Sequence, residues 1–183
     1  MKGMIRDIEL KVLSHLMKNA RTSDRELAKR IGVSQPTVSR IRSRLEKEGY
    51  ITGYTVLPNL RKLGYEILAT TFVKFREEGL NGEEADKLRK RAEERFMEES
   101  FAPMVAMFER GMGLGYSGMI VSYHENYTSY SEFMRMLKQY PVLSPDIKSF
   151  LLDLNDKVHY RSLSFVPLSH HILALRKRTD QNK

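Results

Sequence analysis

Residues 23–45 read SDRELAKRIGVSQPTVSRIRSRL, and the spacing inside this stretch decides the architecture of the first third of the chain. Ser23 followed by Glu26 is the signature of a helix start in which side chains satisfy free amides. The helix it opens runs to about Ile31 and stops at Gly32, a residue suited to a left-handed turn position. A second helix begins from Ser34 as cap, tolerates Pro36 in its first turn, and ends at Gly49. Ala28 lies four residues before Gly32, Val38 six after it, and Ile41 three further on, with Leu45 one turn beyond. Two helices crossing at close quarters need a small residue at the crossing and a turn that admits left-handed backbone. They also need an apolar pair on the second helix to bury against the first, so the spacing predicts a helix-turn-helix.

With Val38, Ile41 and Leu45 facing inward, the second helix presents Gln35, Thr37, Ser39, Arg40, Ser43 and Arg44 outward. Amide and guanidinium groups pair with base edges in a major groove, while hydroxyls and cations reach phosphates. Gln35, Thr37 and Arg40 lie nearest the end that enters a groove and are expected to contact bases. Arg42, Arg44 and Lys47 are expected at phosphates, Ser39 supplies a further hydroxyl, and Ser34 is primarily a cap. The competing reading is a solvated face in which Arg40 and Arg44 pair with Glu46 and Glu48. Charge favours a polyanion: residues 1–60 hold 12 basic and 6 acidic side chains, against 19 and 17 in the remainder.

Outward from this core, Ile8, Val12 and Leu16 mark one face of a helix from Asp7 to Lys18. Tyr50 to Leu57 is β-prone and reads as a short strand or wing, and Pro58 to Gly64 as a connector. Beyond it the pattern predicts a strand over Tyr65–Phe75 and a helix from an Asn81 cap over Glu83–Glu99, with Ala85, Leu88, Ala92 and Phe96 on one face. Strands over Phe101–Phe108 and Tyr116–Tyr123 follow, flanking Gly111–Gly115. A helix opened by Ser129 and Glu132 ends at Pro141, and a strand over Ile147–Leu154 precedes a fifth candidate over Tyr160–Val166. The fold class is therefore α+β, a winged helix-turn-helix followed by a ferredoxin-like βαββαβ sandwich. The expected division is 1–57 for the first domain, 58–64 for a linker, 65–167 for the sandwich and 168–183 for a basic, fraying tail. Two helices leave one sheet face without a cover, so a second copy is expected as partner.

Composition narrows the classes further. The chain has 183 residues, 41% hydrophobic and 30% charged, enough to bury a core. It has no cysteine, which removes disulfides and thiolate sites and fits a reducing compartment. No apolar run suits a membrane span, and the charged start Met1–Asp7 does not resemble a signal peptide, so a cytoplasmic location is expected. His15, His124, His159, His170 and His171 show no helical ligand spacing, and no cofactor, metal or catalytic centre is expected. Met104, Met107 and Met119 are candidates either for core filling or for lining a pliable cavity. Gly111, Gly113 and Gly115, with Tyr116, read chiefly as a hairpin connection and secondarily as the place to look for a small ligand.

The stretch from Asp7 through NARTSDRELAKRIGVS and RIRSRLEKEGYITGYT to Tyr65 resembles the N-terminal half of the leucine-responsive/AsnC (feast–famine) transcription regulators. The resemblance covers residues 5–76, and the strand and helix order downstream is similar to that family's effector-binding domain. It implies a sequence-specific regulator of double-stranded DNA that assembles as a dimer, tetramer or octamer and is modulated by a small effector. Family members carry acids in the turn between the central strands, whereas Arg110–Gly118 here has none, which suits an apolar effector better than an amino acid. Two other readings share the scaffold or the charge: a tetrapyrrole decarboxylase of the siroheme type, and an architectural DNA protein with little sequence preference. The first needs clustered Arg and His, which are scattered in this sequence.

Overall fold

The computed structural model describes residues 5–76, 82–98, 102–140, 142–158 and 163–181. The expected Asn81 cap, Phe101, Pro141 and Tyr160 lie outside these, as do the side chains of Ala85, Leu88 and Ala92. The chain forms two compact units, Met1–Leu57 with His159–Lys183, and Pro58–Val158.

The first unit is helical: α1 (Asp7–Lys18), α2 (Asp24–Ile31), α3 (Gln35–Lys47) and α6 (Val166–Gln181). Its core is Val12, Leu16, Leu27, Ala28, Val38, Ile41 and Leu45, all buried. Each large aliphatic among them contributes roughly 1.5–3 kcal/mol of burial. Ser23 Oγ accepts from the Glu26 amide as expected, but the Glu26 carboxylate turns away to Arg30 instead of closing the reciprocal box. That box occurs one helix earlier, where the Arg6 amide donates to Glu9 at 2.8 Å. Gly32 stands at φ +80°, and its amide and that of Val33 both donate to the Ala28 carbonyl, which ends α2 and turns the chain into α3. Residues 51–59 form no strand, so the expected strand at Tyr50–Leu57 is an extended segment tied down by side chains.

The second unit opens with a 3-10 turn, Leu60–Leu63, capped by Asn59, so the expected linker 58–64 is structured and groups with the sheet. Then come β1 (Ile67–Val73), α4 (Gly82–Glu98), β2 (Val105–Gly113), β3 (Tyr116–His124), α5 (Tyr127–Lys138) and β4 (Lys148–Asp153). The antiparallel sheet has the order β2-β3-β1-β4, the ferredoxin-like arrangement. Its helix-covered face packs Ala69, Val73, Ile120, Phe96, Phe133, Leu137 and Leu143. His124 is fully buried there between Tyr130 and Phe133, its Nε2 at 2.9 Å from Ser122 Oγ; burial pushes the imidazole pKa down and keeps the ring neutral.

Three expectations for the second half are corrected, while the hairpin connection expected at the glycine-rich stretch is present and shorter: β2 runs through Gly111 to Gly113, and only Leu114 and Gly115 form the turn, at φ +53° and +77°. Positive φ at both central residues suits the twist of a two-residue hairpin, at a steric cost for the leucine. Asn126, not Ser129, caps α5, because Ser129 lies one turn inside and gives its amide to Asn126 Oδ1. The methionines do not line one cavity, since Met104 packs beside Ser129 of α5 while Met107 and Met119 lie on the sheet's other face. Finally, Val166 begins a helix and not the end of a fifth strand, and the expected tail 168–183 is helical through Gln181 and groups with residues 1–57.

Gly118 in β3 leaves room for Phe75, whose Cε2 would lie 2.8 Å from an added Cβ. That ring is stacked on Phe108, which restricts its retreat. Gly118→Ala is therefore expected to destabilise the sheet unit by about 1–3 kcal/mol, seen as a lower midpoint in thermal unfolding.

Candidate nucleic-acid interface

Successive positions around α3 divide it into three zones. Val38, Ile41 and Leu45 are buried in the unit's core. Gln35, Ser39, Arg40, Ser43 and Lys47 are exposed on the far side. Arg42 lies on one flank between these zones, and Arg44 and Thr37 lie on the other, all partly covered.

The flank residues are held by the protein itself. Arg42 Nε donates to Asp24 Oδ1 at 2.8 Å, Nη2 donates to the Thr22 carbonyl at 3.1 Å, and the side chain is only 19% exposed. Its guanidinium also lies over the Tyr54 ring, 5.8 Å from the centroid, while the Tyr54 hydroxyl donates to Glu46 at 2.7 Å. With the Tyr50 and Ile51 amides donating to the Leu45 carbonyl, these contacts fasten the wing segment along α3. Burial alone would lower the Arg42 pKa, but its bonds to Tyr54 and Asp24 outweigh this and raise it.

On the other flank Arg44 Nη1 donates to Glu9 of α1 at 2.7 Å, and Nε donates to Glu48 at the same distance. Glu9 is 1% exposed and also receives the backbone and side-chain donors of Arg6. Burial pushes the Glu9 carboxyl up; the Arg6 bonds and the charges of Arg6 and Arg44 outweigh it and hold the pKa below its ordinary value. Thr37 is engaged as well: its amide and hydroxyl both meet Ser34 Oγ, the latter at 2.8 Å.

The expected site residues thus separate. Gln35, Ser39, Arg40 and Lys47 share the outward face, joined by Ser43, and Arg40 and Lys47 make no ion pair among the described residues. Ser34 and Thr37 form the cap, and Arg42 and Arg44 bind carboxylates of their own chain. For Arg44 the competing reading of the sequence applies with respect to Glu48, but not for Arg40. The buried tie to Glu9 was not anticipated, since its sequence signal was only an acid one turn into α1.

In the second unit Gly111 and Gly113 belong to the exposed end of β2 and Gly115 to the turn, while Tyr116 meets a partner that the sequence reading missed. Its hydroxyl donates to Asp146 Oδ1 at 3.1 Å, and Lys74 lies both against Asp146 and over the Tyr116 ring. A carboxylate therefore does stand near this hairpin, delivered from the segment before β4. No helix among the described residues is long and apolar enough to cross a membrane.

Comparison with known proteins agrees with this geometry. Residues 5–52 match the family described as winged helix-turn-helix DNA-binding. The chain is 41% identical over 86 residues to the HTH-type transcriptional regulator LrpA of Pyrococcus horikoshii, a match spanning 47% of this chain and 60% of that protein. It is 39% identical over 66 residues to the leucine-responsive regulatory protein of Rhizobium meliloti, covering 36% of this chain and 42% of that one. The matches thus span about half the length of these relatives. Among solved structures, AsnC of E. coli superposes with a TM-score of 0.66 at 19% identity, over 88% of this chain and 99% of that one. A Neisseria meningitidis transcriptional regulator solved as its L-Met complex gives 0.68 at 19%, over 90% and 99%. The chain therefore pairs a winged helix-turn-helix, similar in sequence to leucine-responsive regulators, with a second unit in the fold of the AsnC-type proteins.

Replacing Glu9 by Gln should lower the stability of the helical unit by about 1–3 kcal/mol in denaturant unfolding. Because the folded pKa lies below the ordinary value of 4.5, the contribution is fully present above that pH and is lost as pH falls through the folded pKa. The difference between wild type and Glu9→Gln should accordingly shrink in acid, and a constant difference down to pH 3 would exclude this linkage.

Proposed function

We propose that this protein is a transcription regulator that binds double-stranded DNA as a dimer or larger even-numbered assembly. The observation that carries the reading is the division of labour along α3: five exposed polar or basic side chains face outward while the neighbouring arginines are committed to carboxylates. Free guanidinium and amide groups are what a major groove recognises, and a helix held on both flanks offers them without reorganisation. Gln35 and Arg40 read bases with Ser39 beside them, Lys47 and Ser43 meet phosphates, and Arg42 and Arg44 position the helix. This narrows the sequence-based expectation, in which Arg42 and Arg44 were phosphate contacts and Thr37 a base contact.

Self-association is supported by the sheet face that neither helix covers. Its cross-strand neighbours include Leu68, Tyr123 and Leu152 in one row and Val121 and Phe150 in the next. Phe150 is 63% exposed and Leu152 45%. An apolar sheet face of this kind is stabilised by pairing with a second copy, which also spaces two recognition helices for a two-fold symmetric site. A small effector is proposed to act near Tyr116 and Asp146, where carboxylate and ammonium groups of this chain stand side by side, as an amino acid would require. The relatives' descriptions as transcriptional regulators, and the L-Met bound by one neighbour of this fold, support that reading over an enzymatic one.

The test of DNA reading is a pair of substitutions measured on a selected operator and on random duplex across a salt series. Arg40→Ala should lose discrimination, by about 1–3 kcal/mol against the preferred base. Lys47→Ala should weaken binding to both and flatten the salt dependence by about one unit of slope. Equal loss on both duplexes for Arg40→Ala removes it from base readout. Assembly is tested by Phe150→Asp, which should shift sedimentation toward the monomer and leave the helical unit folded; an unchanged assembly would move the interface elsewhere.

A further inference from the structure

The four-stranded sheet ends in two edges of different kind. On the β2 side the pairing with β3 is interrupted by two register shifts, and the strand carries Glu109 and Arg110. Bulges and charges of this sort keep an edge from pairing further. On the other side β4 pairs with β1 in unbroken register, and its centre, Ser149 to Leu152, holds neither a charge nor a proline. The Leu154 amide donates to the Glu66 carbonyl at 2.7 Å, so, counting back in steps of two, the backbones of Leu152, Phe150 and Lys148 face β1. The amides and carbonyls of Ser149 and Leu151, with the Asp153 amide, therefore point outward. No described residue pairs with them.

Helix α5 runs beside this edge. Ser149 Oγ lies 3.6 Å from Met134 Sδ, which places the Met134 flank of α5 next to β4. That flank borders an open depression lined by Tyr127, Tyr130, Ser131, Met134, Arg135 and Lys138. Leu151 belongs to the helix-covered face, opposite the buried Ala69, yet it is 37% exposed, so the cover stops short of the edge. Arg135 and Lys138 are exposed and make no ion pair among the described residues.

We propose that the outer edge of β4 and the adjoining flank of α5 form a docking site for an extended acidic segment of another protein, added to the sheet as a fifth strand. Each part of the site specifies one property of the guest. A row of alternating amides and carbonyls is matched only by an extended backbone. Neighbouring residues of a strand point to opposite faces, so half of the guest side chains lie on the α5 side and half beside Phe150 and Leu152. The first half meets Arg135 and Lys138, which select carboxylates over ammonium groups. The second half continues an apolar row in which Phe150 and Leu152 are exposed. The guest therefore alternates acidic and apolar side chains.

The experiment titrates the full chain with a fluorescein-labelled, end-capped peptide of about six residues, a usual strand length, alternating valine and glutamate. A peptide alternating valine and lysine is the control. The glutamate peptide should bind about tenfold more tightly than the lysine peptide at low salt, and Arg135→Glu with Lys138→Glu, both at exposed positions, should invert the preference. Two further glutamate peptides carry N-methyl groups, one on its glutamates and one on its valines. A guest strand bonds to β4 through one edge, so one of the two should lose binding and the other keep it. Leu151→Pro removes an outward amide that β1 does not use, and it should weaken the glutamate peptide as well. Equal binding of the glutamate and lysine peptides overturns the inference, as does methylation that affects both sets alike. Failure of either peptide to bind overturns it too; if Leu151→Pro then shifts sedimentation toward the monomer, the edge belongs to a second copy of this chain.

Discussion

The buried carboxylate of Glu9 is the constraint on which the helical unit depends. It lies at the base of α1, almost fully removed from water, and its charge is tolerable only because Arg6 and Arg44 bring donors to it. An unpaired carboxylate at that depth would cost several kcal/mol, so the pair is less a source of net stability than a condition of geometry. Arg44 cannot leave α1 without taking from Glu9 its only described partner on another helix, leaving the donors of Arg6 alone. Recognition helix and first helix are thereby held in one register by a bond that packing alone would not specify.

The other flank works by the same logic with different partners. Arg42 binds Asp24 at the start of α2 and the Thr22 carbonyl before it, and through Tyr54 it collects the wing segment. Because the wing forms no sheet of its own, this tyrosine and the two amides on the Leu45 carbonyl are what keep it along α3. Two arginines that would suit phosphate are thus consumed in orienting the residues that remain free. Between these two flanks the exposed stripe has little freedom to rotate, because the helix that carries it is tied on both sides.

The sheet unit meets a different demand. One face is sealed by α4 and α5 around packed aromatic rings, with Phe96 edge to face against Tyr140 and tilted against Phe108. The opposite face keeps its apolar rows uncovered, and Leu114 is held at a left-handed backbone angle on the tip of an exposed hairpin. The exposed apolar rows and the left-handed leucine both run against the stability of the unit.

The helix-turn-helix was legible in the sequence, because helix starts, stops and crossings depend on residues within a few positions of one another: Ser23, Ala28, Gly32, Ser34 and the Val38–Ile41–Leu45 stripe all occupy the positions their spacing implies. The strand and helix order of the second unit was legible for the same reason, as was its open face. Which cations stay free is set by contacts between segments far apart in the chain. Whether Arg40, Arg42 or Arg44 faces solvent depends on acids 18 and 35 residues away, Asp24 for Arg42 and Glu9 for Arg44, and periodicity carries no information about such pairings. The same holds for Asp146 beside Tyr116, and for α6, whose basic run looked like a tail. Its place against α1 is fixed by a contact spanning 155 residues, with the whole sheet unit in between.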